Sequence, residues 1–217
     1  YRLTTLQSWE AIQDGAQCIV DTDDIVGRHA VVQVQIVDER VVRLRVTLDR
    51  DVAVSAIGLS FAATPEEGFF GLGERFARGN HRGHEVRHQI SDAYADPVPG
   101  HNWTYFPIPF VLSSRGYGLM LDTTRSGTFR LGSDREDAWQ VSVDGAVLDA
   151  VIFTGPEPLE VIEQFTGLTG RPPLPHPWAL GVWKTTLSGA DAVRAEVQRL
   201  REEDLGVSAV WIYDQLE

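Results

Sequence analysis

From Ala16 to about Phe153 the chain is written in short runs where polar and apolar side chains alternate, and this rhythm restricts the fold more than any other feature. Val31-Val32-Gln33-Val34-Gln35-Ile36-Val37 alternates, Asp38-Glu39-Arg40 turns the chain, and Val41-Val42-Arg43-Leu44-Arg45-Val46-Thr47-Leu48 alternates again. Successive side chains of a strand point to opposite faces, so such runs, rich in β-branched residues, make half-buried antiparallel strands. Further runs lie at Val54 to Phe61, Phe106 to Ser113, Gly118 to Asp122, Gly127 to Leu131, Gln140 to Val143 and Leu148 to Phe153. Many short strands without a long helix between them predict an antiparallel β-sandwich or barrel.

The rhythm then changes. After Pro156-Glu157-Pro158, apolar residues at Leu159, Val161, Ile162, Phe165 and Leu168 keep helical spacing, and Gly170 stops the helix. Arg171-Pro172-Pro173-Leu174-Pro175-His176-Pro177 holds four prolines in seven positions, which forbids helix and central strand and marks a stiff connector. The domain boundary falls there: residues 1–170 form the β-sandwich, and 171–217 hold the connector and a segment of different patterning. Trp178 to Trp183 is a continuous apolar run, as a buried parallel strand requires. Ser188-Gly189-Ala190-Asp191 has the spacing of a helix-capping box, and Val193, Val197 and Leu200 then form one apolar stripe. Gly206 closes that helix, and Val207 to Tyr213 reads as a second apolar strand. This is one βαβ unit. Alone it exposes both faces of its sheet, so it reads as the opening of a larger α/β domain and the chain as a fragment.

Among the 217 residues, 31 acidic against 19 basic side chains give a net charge of −12, which argues against nucleic acid and anionic membranes as partners. Cys18 is the single cysteine, so no internal disulfide forms; its apolar, strand-like setting predicts a buried, inert thiol. A disulfide-free chain without an apolar leader fits a cytoplasmic, reducing compartment. His81, His84, His88 and His101 invite a metal reading, but Arg78, Arg82 and Arg87 are poor company for a cation. We expect neither a metal nor another cofactor.

Four segments in order resemble glycoside hydrolase family 31, the α-glucosidase and α-xylosidase family. They are Phe69-Phe70-Gly71-Leu72-Gly73-Glu74-Arg75-Phe76; Tyr105 to Phe110 leading into Ser113-Ser114-Arg115-Gly116-Tyr117-Gly118-Leu119; Gly170 to Pro175 followed by Trp178-Ala179-Leu180-Gly181; and the helix and strand ending Val210-Trp211-Ile212-Tyr213-Asp214. The resemblance covers Phe69 to the end; the first ~65 residues fit the family only as generic β structure. Gly71 and Gly73 also answer a local need for a turn or close backbone approach, and Arg115-Gly116-Tyr117-Gly118 a hairpin turn.

The resemblance implies a galactose-mutarotase-like β-sandwich followed by a truncated (β/α)8 barrel, with a carbohydrate substrate. It also implies a retaining mechanism whose carboxylate nucleophile follows the fourth barrel strand and whose acid lies further on, so that both catalytic carboxylates fall outside this chain. The substrate-binding residues it suggests are Asp214 and Tyr213, after the last strand; Trp183; and Asp92, in Ile90-Ser91-Asp92-Ala93-Tyr94. In many relatives an aspartate stands where this chain has Tyr213, with Asp214 one step later, which leaves open which of the two meets the sugar. Each residue also has a plainer reading: Asp214 as a helix cap, Trp183 as core, Asp92 as a solvated loop residue. Exposed apolar strands make a homo-oligomer an expectation. Two other functions fit the β region: a noncatalytic carbohydrate-binding sandwich, and a sugar mutarotase, which needs a His and Glu pair, for which Glu74, Glu85 and the histidines are candidates.

Overall fold

In the computed structural model, which describes residues 1–76, 78–91, 104–187 and 189–213, the alternating runs pair as antiparallel strands. Tyr1–Gly170 forms one unit and Arg171–Glu217 a second. The strands of the first are β1 (Leu3–Ile12), β2 (Gly15–Thr22), β3 (His29–Asp38), β4 (Val41–Leu48), β5 (Ala56–Ala62) and β6 (Phe69–Gly71). They continue as β7 (His84–His88), β8 (Phe110–Ser113), β9 (Tyr117–Leu121), β10 (Gly127–Leu131), β11 (Ala138–Asp144) and β12 (Val147–Thr154). One sheet of eight runs β1-β2-β3-β4-β12-β9-β8-β6, and one of four runs β5-β11-β10-β7.

The inner faces meet in a core around Trp139, which is 0% exposed, stacks on Phe61 at 4.6 Å and leans on Phe69 at 5.7 Å. Val111, Leu119, Leu121, Leu148 and Ala150 come to it from the large sheet, and Phe129, Leu131 and Val141 from the small one. A second core lies on the outer face of the large sheet beneath helix α1 (Pro158–Thr169). There Phe165 stacks on Phe110 at 4.2 Å and meets Phe153 edge-on at 5.9 Å, while Val161 is fully buried. The helix starts where Pro158 supplies a preset φ and Glu160 accepts from the Glu157 N–H at 3.0 Å, and it ends at Gly170, with φ +93°. Because the large sheet has twice the strands of the small one, its β1–β3 edge runs past the core. Leu6, Trp9, Val34 and Ile36 there are 55%, 68%, 42% and 60% exposed.

The second unit has a 3₁₀ turn (Pro177–Leu180), strand β13 (Trp183–Leu187), helix α2 (Ala190–Glu202) and strand β14 (Ala209–Tyr213). β13 and β14 pair in parallel, from Trp183 with Ala209 to Leu187 with Tyr213. The expected strand at Trp178 to Trp183 is thus displaced. Pro177 sets a turn-compatible φ, Ala179 N–H bonds His176 O at 2.9 Å and Gly181 N–H bonds Trp178 O at 3.1 Å, so the apolar run coils before the strand opens at Trp183. α2 has Gly189 at its N-cap, with no side chain to offer, instead of the anticipated cap at Ser188, which lies outside the described residues. It ends at Glu202, where Asp204 takes φ 51°, so Gly206 is not the terminator. Leu200 is buried and Val193 and Val197 are half-buried, as the stripe requires.

Candidate functional site

The segment after β6 is held by main chain. Gly71, Leu72 and Gly73 have φ of 96°, 66° and 87°, a run of left-handed residues that only the glycines adopt without strain. Leu72 accepts that backbone because its side chain, 1% exposed, fills the core. Its N–H bonds Phe110 O at 2.9 Å, and Glu74 N–H bonds Phe106 O at 3.0 Å. A Cβ on Gly73 would stand 2.1 Å from Phe106 O, so the strip from 71 to 74 lies flat on the strip from 106 to 110. Two of the segments singled out in the sequence are therefore one structural feature, and a strained one of the kind that collects at functional sites.

That strip positions Arg75. Its Nε–H donates to Leu72 O at 2.8 Å and its Nη2 to Arg87 O at 2.9 Å, and burial pushes the guanidinium down to about 10. His81 is 5% exposed, with Nε2 3.3 Å from Gly71 O; burial, then the nearby Arg75, keeps it below the usual imidazole range despite that carbonyl. His88 is lowered by burial and by Arg75, and its Nδ1 is buried with no hydrogen-bond partner among the described residues. His84 lies against Arg78, and Glu85 is bound by Arg130 at 3.0 Å and Arg87 at 3.6 Å. These histidines sit among guanidinium groups, and among the described residues no cluster of three or more His, Cys, Asp or Glu is arranged to hold a metal. Beside them Ser91 N–H bonds Thr104 O at 3.1 Å.

Inside the sandwich, Glu67, 1% exposed, accepts from Ser113 Oγ at 2.5 Å and Tyr117 OH at 2.6 Å, and Trp139 Nε1–H donates to the Tyr117 oxygen at 2.9 Å. Burial and the Glu67 carboxylate push the Tyr117 phenol far above its ordinary range. This enclosed network ties the β8–β9 hairpin to the core. The hairpin turns at Gly116, φ 82°, as its sequence requires. Nothing in the sequence around Glu67 distinguishes it; the hydroxyls that reach it come from positions 113 and 117, which only the folded hairpin brings near.

In the second unit, Tyr213 is the last residue of β14 and pairs with Leu187, at the carboxyl ends of both strands. Asp214 and Asp92 lie outside the described residues. Trp183 is placed differently from the expectation that it ends its strand. It opens β13, four positions before Leu187, so it and Tyr213 stand at opposite ends of the two-stranded sheet. There it is 47% exposed, stacks on Trp178 at 6.0 Å and meets Trp211 edge-on at 6.5 Å. Cys18 is half-buried in β2 and free.

Residues 46–129 match the family described as the glycosyl hydrolase 31 N-terminal galactose mutarotase-like domain. Alpha-xylosidase XylQ of Lactiplantibacillus pentosus is 38% identical over 122 residues, 56% of this chain and 15% of the relative. Alpha-glucosidase 2 of Bacillus thermoamyloliquefaciens is 32% identical over 149 residues, 66% of this chain and 19% of the relative. Among solved structures, the cycloalternan-forming enzyme from Listeria monocytogenes superposes with a TM-score of 0.76 at 15% identity, over 97% of this chain and 26% of that one. A GH31 family sulfoquinovosidase from E. rectale superposes at 0.75 and 17% identity, over 98% and 33%. The chain thus spans under one fifth of either curated relative, 15% and 19%. The chain is thus similar over residues 46–129 to the amino-terminal, mutarotase-like domain of glycoside hydrolase family 31, and its antiparallel, mainly β architecture agrees with that likeness.

Proposed function

We propose that this chain is the amino-terminal part of a retaining α-glycoside hydrolase acting on α-glucosides or α-xylosides, and that Arg171–Glu217 opens its (β/α)8 barrel. The observation that carries this reading is the parallel pair β13 and β14 joined by α2, directly after the mutarotase-like unit. A parallel two-stranded sheet buries neither face well alone and is the repeating piece of such a barrel. Barrel active sites form at the carboxyl ends of the strands, the end that holds Tyr213 and leads to Asp214. In this reading one of these two residues bonds the terminal sugar, and Asp92 remains a further candidate from the sequence. Trp183, at the amino end of β13, packs with Trp178 and Trp211 on the barrel floor.

Retention needs two carboxyl groups roughly 5 Å apart, one to attack the anomeric carbon and one to protonate the leaving oxygen and then deprotonate water. In this reading both belong to later barrel strands, so the 217 residues supply substrate-binding groups and no bond-making group. The test is a paired assay with aryl α-glucoside and α-xyloside. The 217-residue chain should release no product, while a longer polypeptide carrying the complete barrel should turn over one of them. Within that longer chain, Asp214→Asn should lower kcat/KM by roughly tenfold or more with little change in melting temperature, the loss of a charge-assisted hydrogen bond. Turnover by the purified 217-residue chain would refute this placement of the active site.

A further inference from the structure

The outer face of the large sheet is covered by α1 over β8, β9, β12 and the Val41 end of β4, and open over β1 to β3 and the rest of β4. On the open half the side chains stand in line. Register sets Glu10 beside Gln17, Gln17 beside Gln33, Gln33 beside Arg45 and Arg45 beside Asp149. That row crosses five strands, roughly 19 Å at about 4.8 Å per strand. At one end it is zipped by hydrogen bonds, Gln17 Nε2 donating to Glu10 Oε1 at 2.9 Å and Gln33 Nε2 to Gln17 Oε1 at 2.6 Å. At the other, Asp149, whose side chain is 6% exposed, holds Arg43 at 2.9 Å and Arg45 at 2.7 Å through Oδ2, and Arg43 reaches Asp122 at 2.8 Å. Asp149 Oδ1 is buried with no partner among the described residues. Gln35 and Arg43 pair in the next register step. Between the two rows runs an open groove of 310 Å³ lined by Ile12, Gln33, Gln35, Arg43 and Arg45.

Three properties of this groove select its ligand. Its two arginines are matched by Asp149 and Asp122, so it carries no surplus positive charge for a phosphate or sulfate, and the chain around it is acidic, with a net charge of −12. Its groups are planar amides and guanidiniums, which offer donors and acceptors side by side as vicinal hydroxyls do. The buried carboxylate and the amide zipper hold those groups in place before any ligand arrives, which lowers the entropy lost on binding. We propose that this row binds a neutral oligosaccharide. Its rings lie across β1 to β4, its hydroxyls exchange hydrogen bonds with Gln33, Gln35 and Arg45, and Ile12 lies under an apolar ring face. Without an aromatic platform, binding is weak.

Only the choice of α-linked probes rests on the function proposed above. The 217-residue chain is titrated with isomaltotetraose, maltotetraose and, as the β-linked arm, cellotetraose, while backbone amide shifts are followed by NMR. Saturable shifts confined to β1–β4 are expected, insensitive to salt because the ligand is uncharged. Gln33→Ala and Arg45→Gln should each weaken binding by roughly tenfold, the size expected of a residue central to a contact surface, with circular dichroism unchanged. Should cellotetraose alone bind there, the site stands and the α-glycoside reading of the whole protein weakens. No shift with any of the three sugars, or binding that both variants leave intact, would overturn the proposal. So would tighter, steeply salt-dependent binding of heparin to the same residues, since that is the mark of an anion site.

Discussion

The two halves of the eight-stranded sheet are built from similar strands and end in different surroundings. β12 lies between the small sheet and α1, and its Leu148, Ala150, Val151 and Phe153 are all 0% exposed. Along the ladder, Val34 pairs with Leu44 and Leu44 with Ala150, so Val34 belongs to the same face as Ala150; yet it is 42% exposed, and Trp9 at the edge is 68% exposed. Alternation decides which face of a strand is apolar. Whether anything lies opposite is decided by the other sheet, and four strands do not cover eight.

The sharpest way to break this comparison is a pair of tryptophan deletions. Trp139→Ala should cost about 3–5 kcal/mol, because it empties the centre of the core, whereas Trp9→Ala should cost under ~1 kcal/mol. Denaturant midpoints measure both, and equal losses would mean the two halves form one cooperative core.

A smaller effect concerns Glu67. Glu67→Ala strands the Ser113 and Tyr117 hydroxyls and should cost about 1–3 kcal/mol, again by denaturant titration. Tyr117 gives this network an alkaline signature. Its phenol is raised in the folded state from the ordinary 10.0, so the stability it lends is whole below that value and drains away as pH climbs above it. Tyr117→Phe should flatten that alkaline decline in melting temperature, and an unchanged slope would place the titration elsewhere.

His81 tests the loop side of the covered half at acid pH. Its folded-state pKa is lowered from 6.5, so its contribution is present above 6.5 and is lost as pH falls below it. His81→Gln should reduce the acid sensitivity of stability between roughly pH 7 and 5, the range in which imidazoles titrate. The smallest effect belongs to the exposed Arg135–Asp137 pair, at 2.7 Å; despite that geometry, solvent screening should leave the denaturant midpoint of Arg135→Ala indistinguishable from that of the parent.

β3, β4, β10 and β11 are legible because each carries its own alternation, and α1 because Leu159, Val161, Ile162, Phe165 and Leu168 keep helical spacing. β1 is not, because Leu3-Thr4-Thr5-Leu6-Gln7-Ser8-Trp9 breaks the period, and its register shifts between Leu3 and Leu6 and between Leu6 and Ser8 spoil any strict count of two. The apolar run at Trp178 misleads because hydrophobicity alone does not separate a strand from a 3₁₀ turn; Pro177 is the better guide. β7 hides in a histidine- and arginine-rich stretch whose single aliphatic residue, Val86, is 3% exposed in the core. For the site, sequence spacing finds the Gly71–Gly73 strip and its partner segment as two separate features, and only pairing joins them. Arg75 is visible as a motif member, but its hold on the Leu72 and Arg87 carbonyls depends on a loop closing back on itself.

The close packing at Gly73 has a consequence for how this domain can diversify. A Cβ there would meet Phe106 O at 2.1 Å, Ile108 N at 2.6 Å and Pro107 Cα at 2.9 Å, all of them main chain. Main chain cannot swing aside as a long side chain can, so any other residue at this position would pry the two strips apart.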